Sequence, residues 1–361
     1  MYKGIFRWYK AMISFYYTGL LNRSSYLKGG FYMNGSFKRK IGRSGIEVSA
    51  LGLGCWAIGG PFFMDGKYDG WGDIDDNESI KAIHKAIELG INFLDTSDAY
   101  GIGHSEEVIG KVLSGKRNEV IIATKFGFFG NEATKTLHGV NVTSDYIERA
   151  CDASLKRLKT DYIDVYQLHV GDLPISDIES VCQVLDKLVS KGKIRTYGWS
   201  TDIALGAQLF SEKPNCSAIQ HNLNILEDAP QLIEVCERQG VASINRSPLA
   251  MGFLTGKFTA ESLLPKDDVR AAGHSWVTIF KNGKPVPEFL KKLDAVREIL
   301  TSNGRTLTQG ALAWIWGRSS CTIPIPGFKT TKQVEENAKA MDFGPLSQDQ
   351  MNEIEKILER R

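Results

Sequence analysis

An eight-stranded parallel α/β barrel, (β/α)8, is the fold class this sequence predicts, as a single domain with one additional C-terminal helix. Three observations predict it. From Ile46 onward, short apolar runs alternate with longer amphipathic ones, giving eight strand–helix units in one direction. Parallel strands require such crossovers, and eight of them in about 300 residues suit a closed barrel better than an open sheet. The open, doubly wound alternative normally carries a G-x-G-x-x-G turn after its first strand. Here that strand is followed by Cys55-Trp56-Ala57-Ile58-Gly59-Gly60-Pro61, and the glycines at 101 and 103 come later and lead into His104-Ser105-Glu106. No linker between Ile46 and the C-terminus divides the chain.

The first strand is expected over Val48–Cys55. Asp76 opens a helix over Asn77–Leu89, where Ile80, Ile83, Ala86 and Ile87 recur at helical spacing and Gly90 is the stop. The second strand, Ile91–Asp95, leads to the helix Ser105–Leu113. The third, Val120–Lys125, leads to a helix that Thr143 or Ser144 caps and that runs to about Leu158. Tyr162–His169 is the fourth strand, followed by a helix that Ser176 caps and that extends through Val189 to the stop at Gly192. The fifth strand is Ile194–Trp199, with a helix near Ala204–Phe210. The sixth is Ala218–His221, with Pro230–Arg238 and Gly240. The seventh is Val241–Asn245. A long segment, 246–285, intervenes before helices at 287–302 and 307–318. Cys321–Ile325 is the eighth strand, Lys332–Met341 its helix, and an amphipathic helix at 347–360 ends the chain.

Composition narrows the function. Hydrophobic residues at 42% and charged residues at 24% exclude a disordered, collagenous or coiled-coil chain. No run of 18 apolar residues exists, so no membrane-spanning helix is expected. A net charge of +2 argues against nucleic-acid binding by bulk electrostatics. The cysteines at 55, 151, 182, 216, 236 and 321 are scattered without a C-x-x-C pair. Neither a zinc ribbon nor a disulfide framework is indicated, and reduced, buried thiols in a cytoplasmic protein are expected.

The opening segment stands apart. Residues 1–32 carry Lys3, Arg7, Lys10, Arg23 and Lys28 and no acid, which leaves −3 for residues 33–361. Lys28-Gly29-Gly30 can be encoded by a purine-rich run that spells a bacterial ribosome-binding site, and two codons then separate it from Met33. We expect residues 1–32 to be non-native leader read in frame, with the barrel domain at 33–361. An export signal and a genuine extension are the alternatives. The export reading has a basic start, Met1–Lys10, and a weak apolar centre, Ala11–Leu21, without a small-residue cleavage site.

In a parallel barrel, catalytic groups lie at the C-terminal ends of strands and in the loops that follow. Asp95 ends the second strand, with Tyr100 five residues on; Lys125 ends the third and His169 the fourth. A lysine on an apolar strand needs a partner, and Asp95 is the natural one. The ammonium is expected to lower the phenol of Tyr100 from about 10 toward neutrality. Such a tyrosine can give and take a proton, and His169 can orient a carbonyl oxygen. Taken singly, each has a packing explanation: an ion pair, a core histidine, a loop aromatic. Four at matching strand ends are harder to explain that way. No Ser–His–Asp order and no H-x-H or H-E-x-x-H pair appears, so neither acyl-enzyme chemistry nor a metal site is expected.

The blocks "NFLDTSDAYGIGHSEEVIGKVL", "VIIATKFG", "YIDVYQLH", "IRTYGWS", "SPLAMGFLTGK" and "IPIPGFKTTKQVEENAKA" resemble, in order, the signature segments of the aldo-keto reductases. Phe37–Gly45 looks like that family's short basic opening strand. The chain resembles most the bacterial branch related to general stress and inositol-associated reductases and to potassium-channel β subunits. The resemblance implies hydride transfer between a nicotinamide cofactor and an aldehyde or ketone. Its catalytic tetrad falls on Asp95, Tyr100, Lys125 and His169, with Tyr100 as general acid. Ser200 and Gln220 match positions that hold the nicotinamide carboxamide.

Ser247, Leu249, Gly252, Gly256 and Lys257 lie in a segment whose glycines let backbone approach a pyrophosphate. Gly327 and Lys329 precede a helix N-terminus suited to an anion, where the branch keeps a cation near the 2′-phosphate. Gln333, Glu336 and Asn337 match adenosine-binding positions. NADPH is therefore expected over NADH. Two residues depart from the family: Arg246 stands where a tyrosine is usual, and Thr201 where asparagine is common. Trp56, Phe63, Trp71 and Phe128 are the expected substrate contacts, since an aromatic mouth suits hydrophobic carbonyl compounds. A small carbonyl compound is the expected partner, with no nucleic acid or membrane. Two other classes remain open at this point: a cofactor-binding regulatory subunit with slow turnover, and a metal-dependent barrel hydrolase, which the absence of a ligand pattern disfavours.

Overall fold

The computed structural model describes residues 37–360; the leader expected at 1–32 lies outside them. Eight parallel strands form one sheet: β1 (Gly52–Gly54), β2 (Phe93–Asp95), β3 (Ile121–Phe126), β4 (Ile163–Leu168), β5 (Ile194–Ser200), β6 (Cys216–Asn222), β7 (Ala242–Arg246) and β8 (Thr322–Pro324). Each pairs with the next in sequence order. The sheet closes through a parallel bridge between Gly54 and Gly327, with Gly54 N–H donating to Pro326 O at 3.0 Å. A Cβ at Gly54 would lie 2.6 Å from the Ile325 carbonyl oxygen, so the seam requires glycine there.

Helices cover the outer face: α1 (Asp76–Glu88), α2 (His104–Val112), α3 (Ser144–Leu158), α4 (Ile178–Ser190), α5 (Ala204–Ser211), α6 (Pro230–Gln239), α7 (Pro287–Thr301), α8 (Leu307–Arg318), α9 (Thr331–Ala338), α10 (Ala340–Phe343) and α11 (Gln348–Ile357). The outer core lies between them and the outward strand residues, such as Leu94, Ile122, Tyr166 and Ile219. The inner core is a separate cluster of Phe93, Ala123, Val165, Ala218, Ala242, Ile244, Ile323 and Ile325. Ile41, Ile46 and Val48 join it from an antiparallel hairpin, Lys38–Ile41 with Ile46–Ser49. No helix among the described residues is long and apolar enough to cross a membrane.

Several boundaries differ from expectation for physical reasons. The single strand expected over Val48–Cys55 is two: Val48 belongs to the hairpin, and the barrel strand begins only at Gly52. Continuous apolar sequence hid the break, because both halves are buried. The expected helix Lys332–Met341 is two helices divided at Lys339. Ser176 lies in a short 3-10 turn, Ile175–Asp177, and α4 begins at Ile178. The loops after β1 and β3 also form a small sheet from the hairpins Phe63–Met64/Lys67–Tyr68 and Phe128–Asn131/Thr136–Val140, which the sequence reading did not anticipate.

Candidate active site

Strand alternation builds the site. Successive side chains point to opposite faces, so the residue two beyond an inward apolar one is also inward. Phe93, Ala123, Val165, Ala218 and Ile244 form the inner apolar layer. Asp95, Lys125, Gln167, Gln220 and Arg246 therefore form the layer above it, toward the C-terminal mouth. His169 follows β4 directly. Tyr100 reaches inward from the loop after β2, fixed by Gly101. That glycine has φ +61°, and a Cβ on it would lie 1.9 Å from the Gly59 carbonyl oxygen.

Lys125 Nζ donates to Asp95 Oδ1 at 2.5 Å, to the Thr96 carbonyl at 2.8 Å and to Tyr100 Oη at 3.2 Å. Asp95 Oδ2 accepts from Gln167 Nε2 at 3.0 Å and from Gln220 Nε2 at 2.7 Å. Lys125 and Asp95 are almost wholly inaccessible, and a buried pair of this kind is tolerable only when its remaining hydrogen-bonding capacity is filled. Gln167 does part of that filling. The Val165–Gln167 alternation was a signal for it that the sequence reading did not use.

The protonation states follow from burial and these partners. Burial disfavours the Lys125 ammonium, but Asp95 and Tyr100 outweigh it and hold its pKa above the ordinary value. The expectation that Lys125 lowers the Tyr100 pKa toward neutrality is overturned. Burial raises the phenol, Lys125 and Arg246 pull against it, Asp95 pushes with burial, and the net direction is up. Tyr100 is thus a protonated phenol at neutral pH, the form a proton donor needs. Burial, then Lys125 and Arg246, hold the imidazole of His169 well below its ordinary pKa, so it is neutral. Its Nδ1 lies 3.1 Å from Ser97 Oγ.

Aromatic rings ring the mouth. Trp56 stacks on Tyr100 with centroids 6.0 Å apart and meets Trp71 edge-on at 5.3 Å. Phe128 meets the His169 ring edge-on at 5.2 Å. Phe63 does not join them: it is exposed and packs on Tyr68 in the small sheet, because its strand turns that face outward. Trp276 supplies a ring that the sequence reading missed, 6.0 Å from Trp56.

Beside the mouth, the predicted cofactor residues are only partly free. Gln220 is turned down onto Asp95. Ser200 ends β5, nearly buried. Thr201 donates to the Gly171 carbonyl at 2.6 Å and accepts from Ile203 N–H, which accounts for its hydroxyl. Arg246 forms an ion pair with Asp202, whose other oxygen accepts from Asn222 N–H at 2.8 Å. After β7, Ser247, Ala250 and Met251 hold positive φ of 53°, 49° and 56°. Leu249 is buried among them, and Gly252 and Gly256 are also left-handed. Non-glycine residues held in this region cluster at ligand clamps.

Lys257, Arg270 and Lys329 lie near one another. Burial and the Arg270 guanidinium, with Lys329, hold the Lys257 pKa below its ordinary value while Asp268 opposes. Arg270 is bound to Asp268 and to the Met251 carbonyl; among the described residues, Lys257 and Lys329 have no carboxylate partner. Arg270 went unnoticed in the sequence because segment 246–285 has no strand or helix pattern to place it.

The helix N-terminus expected to hold an anion also meets acceptors of the protein's own. Gln333 Oε1 accepts from the backbone of Lys329 and Thr330, Thr330 Oγ1 accepts from Gln333 N–H, and Glu78 accepts from both donors of Thr331. Lys329 Nζ donates to the Trp71 carbonyl at 2.6 Å, which positions its charge without neutralising it. Glu336 accepts from Thr306 Oγ1. Asn337 Nδ2 is buried with no partner among the described residues. Gly327 sits at the barrel seam, beside Gly54.

A parallel barrel with polar chemistry concentrated at the C-terminal ends of its strands is an enzyme fold used in one consistent way. Comparison with known proteins narrows the class. The chain belongs to the aldo/keto reductase family, whose model matches residues 50–359, and it is an oxidoreductase. It is 32% identical over 329 residues to the aldo-keto reductase YhdN of Bacillus subtilis, covering 88% of this chain and 92% of that protein. It is 33% identical over 314 residues to yakc of Schizosaccharomyces pombe, described as an NADP(+) aldo-keto reductase, covering 84% of this chain and 86% of yakc. Among solved structures, the glycerol dehydrogenase AKR11B4 from Gluconobacter oxydans aligns with a TM-score of 0.76 at 28% identity, covering 91% of this chain and 96% of its own.

Proposed function

We propose that this protein reduces aldehydes or ketones to alcohols with NADPH, using Tyr100 as the general acid. The observation that carries the reading is the hydrogen-bonded chain from buried Asp95 through buried Lys125 to half-buried Tyr100, with His169 beside it at the mouth. The residues beside the mouth fit the cofactor: among the described residues, Asn337 offers an unpaired buried donor, and Lys257 and Lys329 offer charges without carboxylate partners. Lys257 would face the pyrophosphate, Lys329 the 2′-phosphate and Asn337 the adenine. Ser200, Arg246 and the turn after β7 would hold the nicotinamide end. When bound, NADPH supplies the hydride that ends on the carbonyl carbon.

The remaining steps belong to this chain. His169 donates from Nε2 to the carbonyl oxygen and orients it. Tyr100 transfers its phenol proton to that oxygen. Lys125, 3.2 Å away, stabilises the phenolate that remains, while Asp95 keeps the ammonium in place. The aromatic walls exclude water and favour substrates with an apolar body. Scattered, unpaired cysteines suit a reducing compartment such as the cytoplasm.

The test is NADPH consumption by the purified protein against a panel of aldehydes, ketones and dicarbonyls. Steady turnover of at least one class, abolished in Tyr100→Phe, is expected. One rapid turnover without steady state would replace this reading with that of a cofactor-binding regulatory subunit.

A further inference from the structure

Two residues stand behind His169 and take no part in the chemistry above. Ser97 Oγ lies 3.1 Å from His169 Nδ1 and 3.3 Å from Asp98 Oδ1, and it accepts from Ala99 N–H at 3.1 Å. A serine hydroxyl has one proton, so it can serve only one of these acceptors at a time. Because His169 is neutral, its ring also has one N–H. If Ser97 donates to Nδ1, the imidazole proton is on Nε2. If Ser97 donates to Asp98, its oxygen can only accept from Nδ1–H, and Nε2 is left bare. A bare Nε2 cannot donate to a carbonyl oxygen.

We propose that Ser97 is a positioning residue that selects the tautomer of His169. Asp98 competes for the Ser97 proton, so the Nε2–H imidazole is present while Asp98 is neutral and is lost when Asp98 ionises. This rests on the reading of His169 as a donor to the substrate.

The surroundings of Asp98 favour its neutral form. Glu106 faces it from α2, Arg157 and the Tyr146 phenol from α3, and the Tyr166 phenol from β4. Burial and then the Glu106 carboxylate hold its pKa well above the usual carboxylate range, against Arg157, Ser97 and the Ala99 N–H. A neutral Asp98 donates to Ser97, and Ser97 donates to His169, in one direction. The sign follows: the competent tautomer exists below the raised Asp98 pKa and is lost as pH rises through it.

The tautomer can be read without substrate or cofactor. In protein labelled with 15N-histidine, two-bond 15N–1H correlations distinguish the two neutral forms, and His169→Gln identifies the signal. Wild type should show Nε2–H at the acidic end of its stable range and convert toward Nδ1–H with rising pH. Asp98→Ala should keep Nε2–H throughout. Should that variant unfold, Asp98→Asn carries the same expectation of pH independence. Ser97→Ala should lose the response and about fivefold in kcat at the acidic plateau, and Ser97→Thr should restore both. A wild-type tautomer that ignores pH, or that responds equally in Asp98→Ala, overturns the proposal. If Tyr100→Phe still abolishes turnover in that case, the reductase reading survives and only this inference falls.

Discussion

The two ends of the cleft are prepared differently. At the tetrad, Lys125 has three acceptors, Asp95 is filled by Lys125, Gln167 and Gln220, and both of these charged side chains are buried. At the other end, among the described residues, Lys257 and Lys329 lack carboxylates, Asn337 has a buried unpaired donor, and three non-glycine residues sit at positive φ. At the first end the lysine charge is paired within the protein; at the second, no carboxylate among the described residues pairs Lys257 or Lys329. Strands fix Asp95, Lys125, Gln167 and Gln220 at the first, since sheet register leaves little freedom. Loops place Lys257 and Lys329 at the second, where charge can be held in reserve.

Four substitutions test that contrast, in decreasing order of effect. Tyr100→Phe keeps the ring and its stacking on Trp56 but removes the proton. Carbonyl reduction should fall about 10²- to 10⁴-fold with NADPH affinity, measured by fluorescence titration, unchanged; more than a few per cent of kcat retained would refute the assignment. Lys125→Met leaves Asp95 as an uncompensated buried charge. It should cost about 3–5 kcal/mol in chemical denaturation, and adding Asp95→Asn should recover much of the loss. Full additivity of the two would mean that the pair is not a unit.

At the other end, the effects should appear in binding and leave the fold intact. Lys329→Met removes a charge held by the Trp71 carbonyl. NADPH affinity should fall about tenfold and NADH affinity much less, and equal losses would show that Lys329 does not read the extra phosphate. Asn337→Leu removes a donor that has no partner among the described residues. The melting temperature should hold or rise, while NADPH and NADH should each bind about threefold more weakly. A clear drop in melting temperature would show that Asn337 is structural.

The alkaline behaviour separates two groups within the tetrad end. The Tyr100 phenol is raised above its ordinary value, so reduction limited by its ionisation should decline only above about pH 10. In Asp98→Ala this should be the sole alkaline limb of kcat, and a lower limb that persists there would come from another group.

The sequence alone determined the order of strands and helices, the barrel and the placement of Asp95, Tyr100, Lys125 and His169 at its mouth. These follow from periodicity and strand ends, which are local. The split of Val48–Cys55 was not legible, since a buried hairpin strand and a buried barrel strand read as one apolar run. The direction of the Tyr100 pKa was not legible either: it depends on the balance between burial and Lys125, and no spacing in the chain states how deeply a phenol is buried. Gln220 and Gln333 are assigned to the cofactor by position, and no spacing in the chain states that tertiary contacts also bring them to Asp95 and to a helix cap. The grouping of Arg270 and Lys257 with Lys329, and of Asp98 and Glu106 with Arg157, joins residues far apart in sequence. Only closure of the barrel, which brings the loops of separate units to one rim, decides which charges face each other.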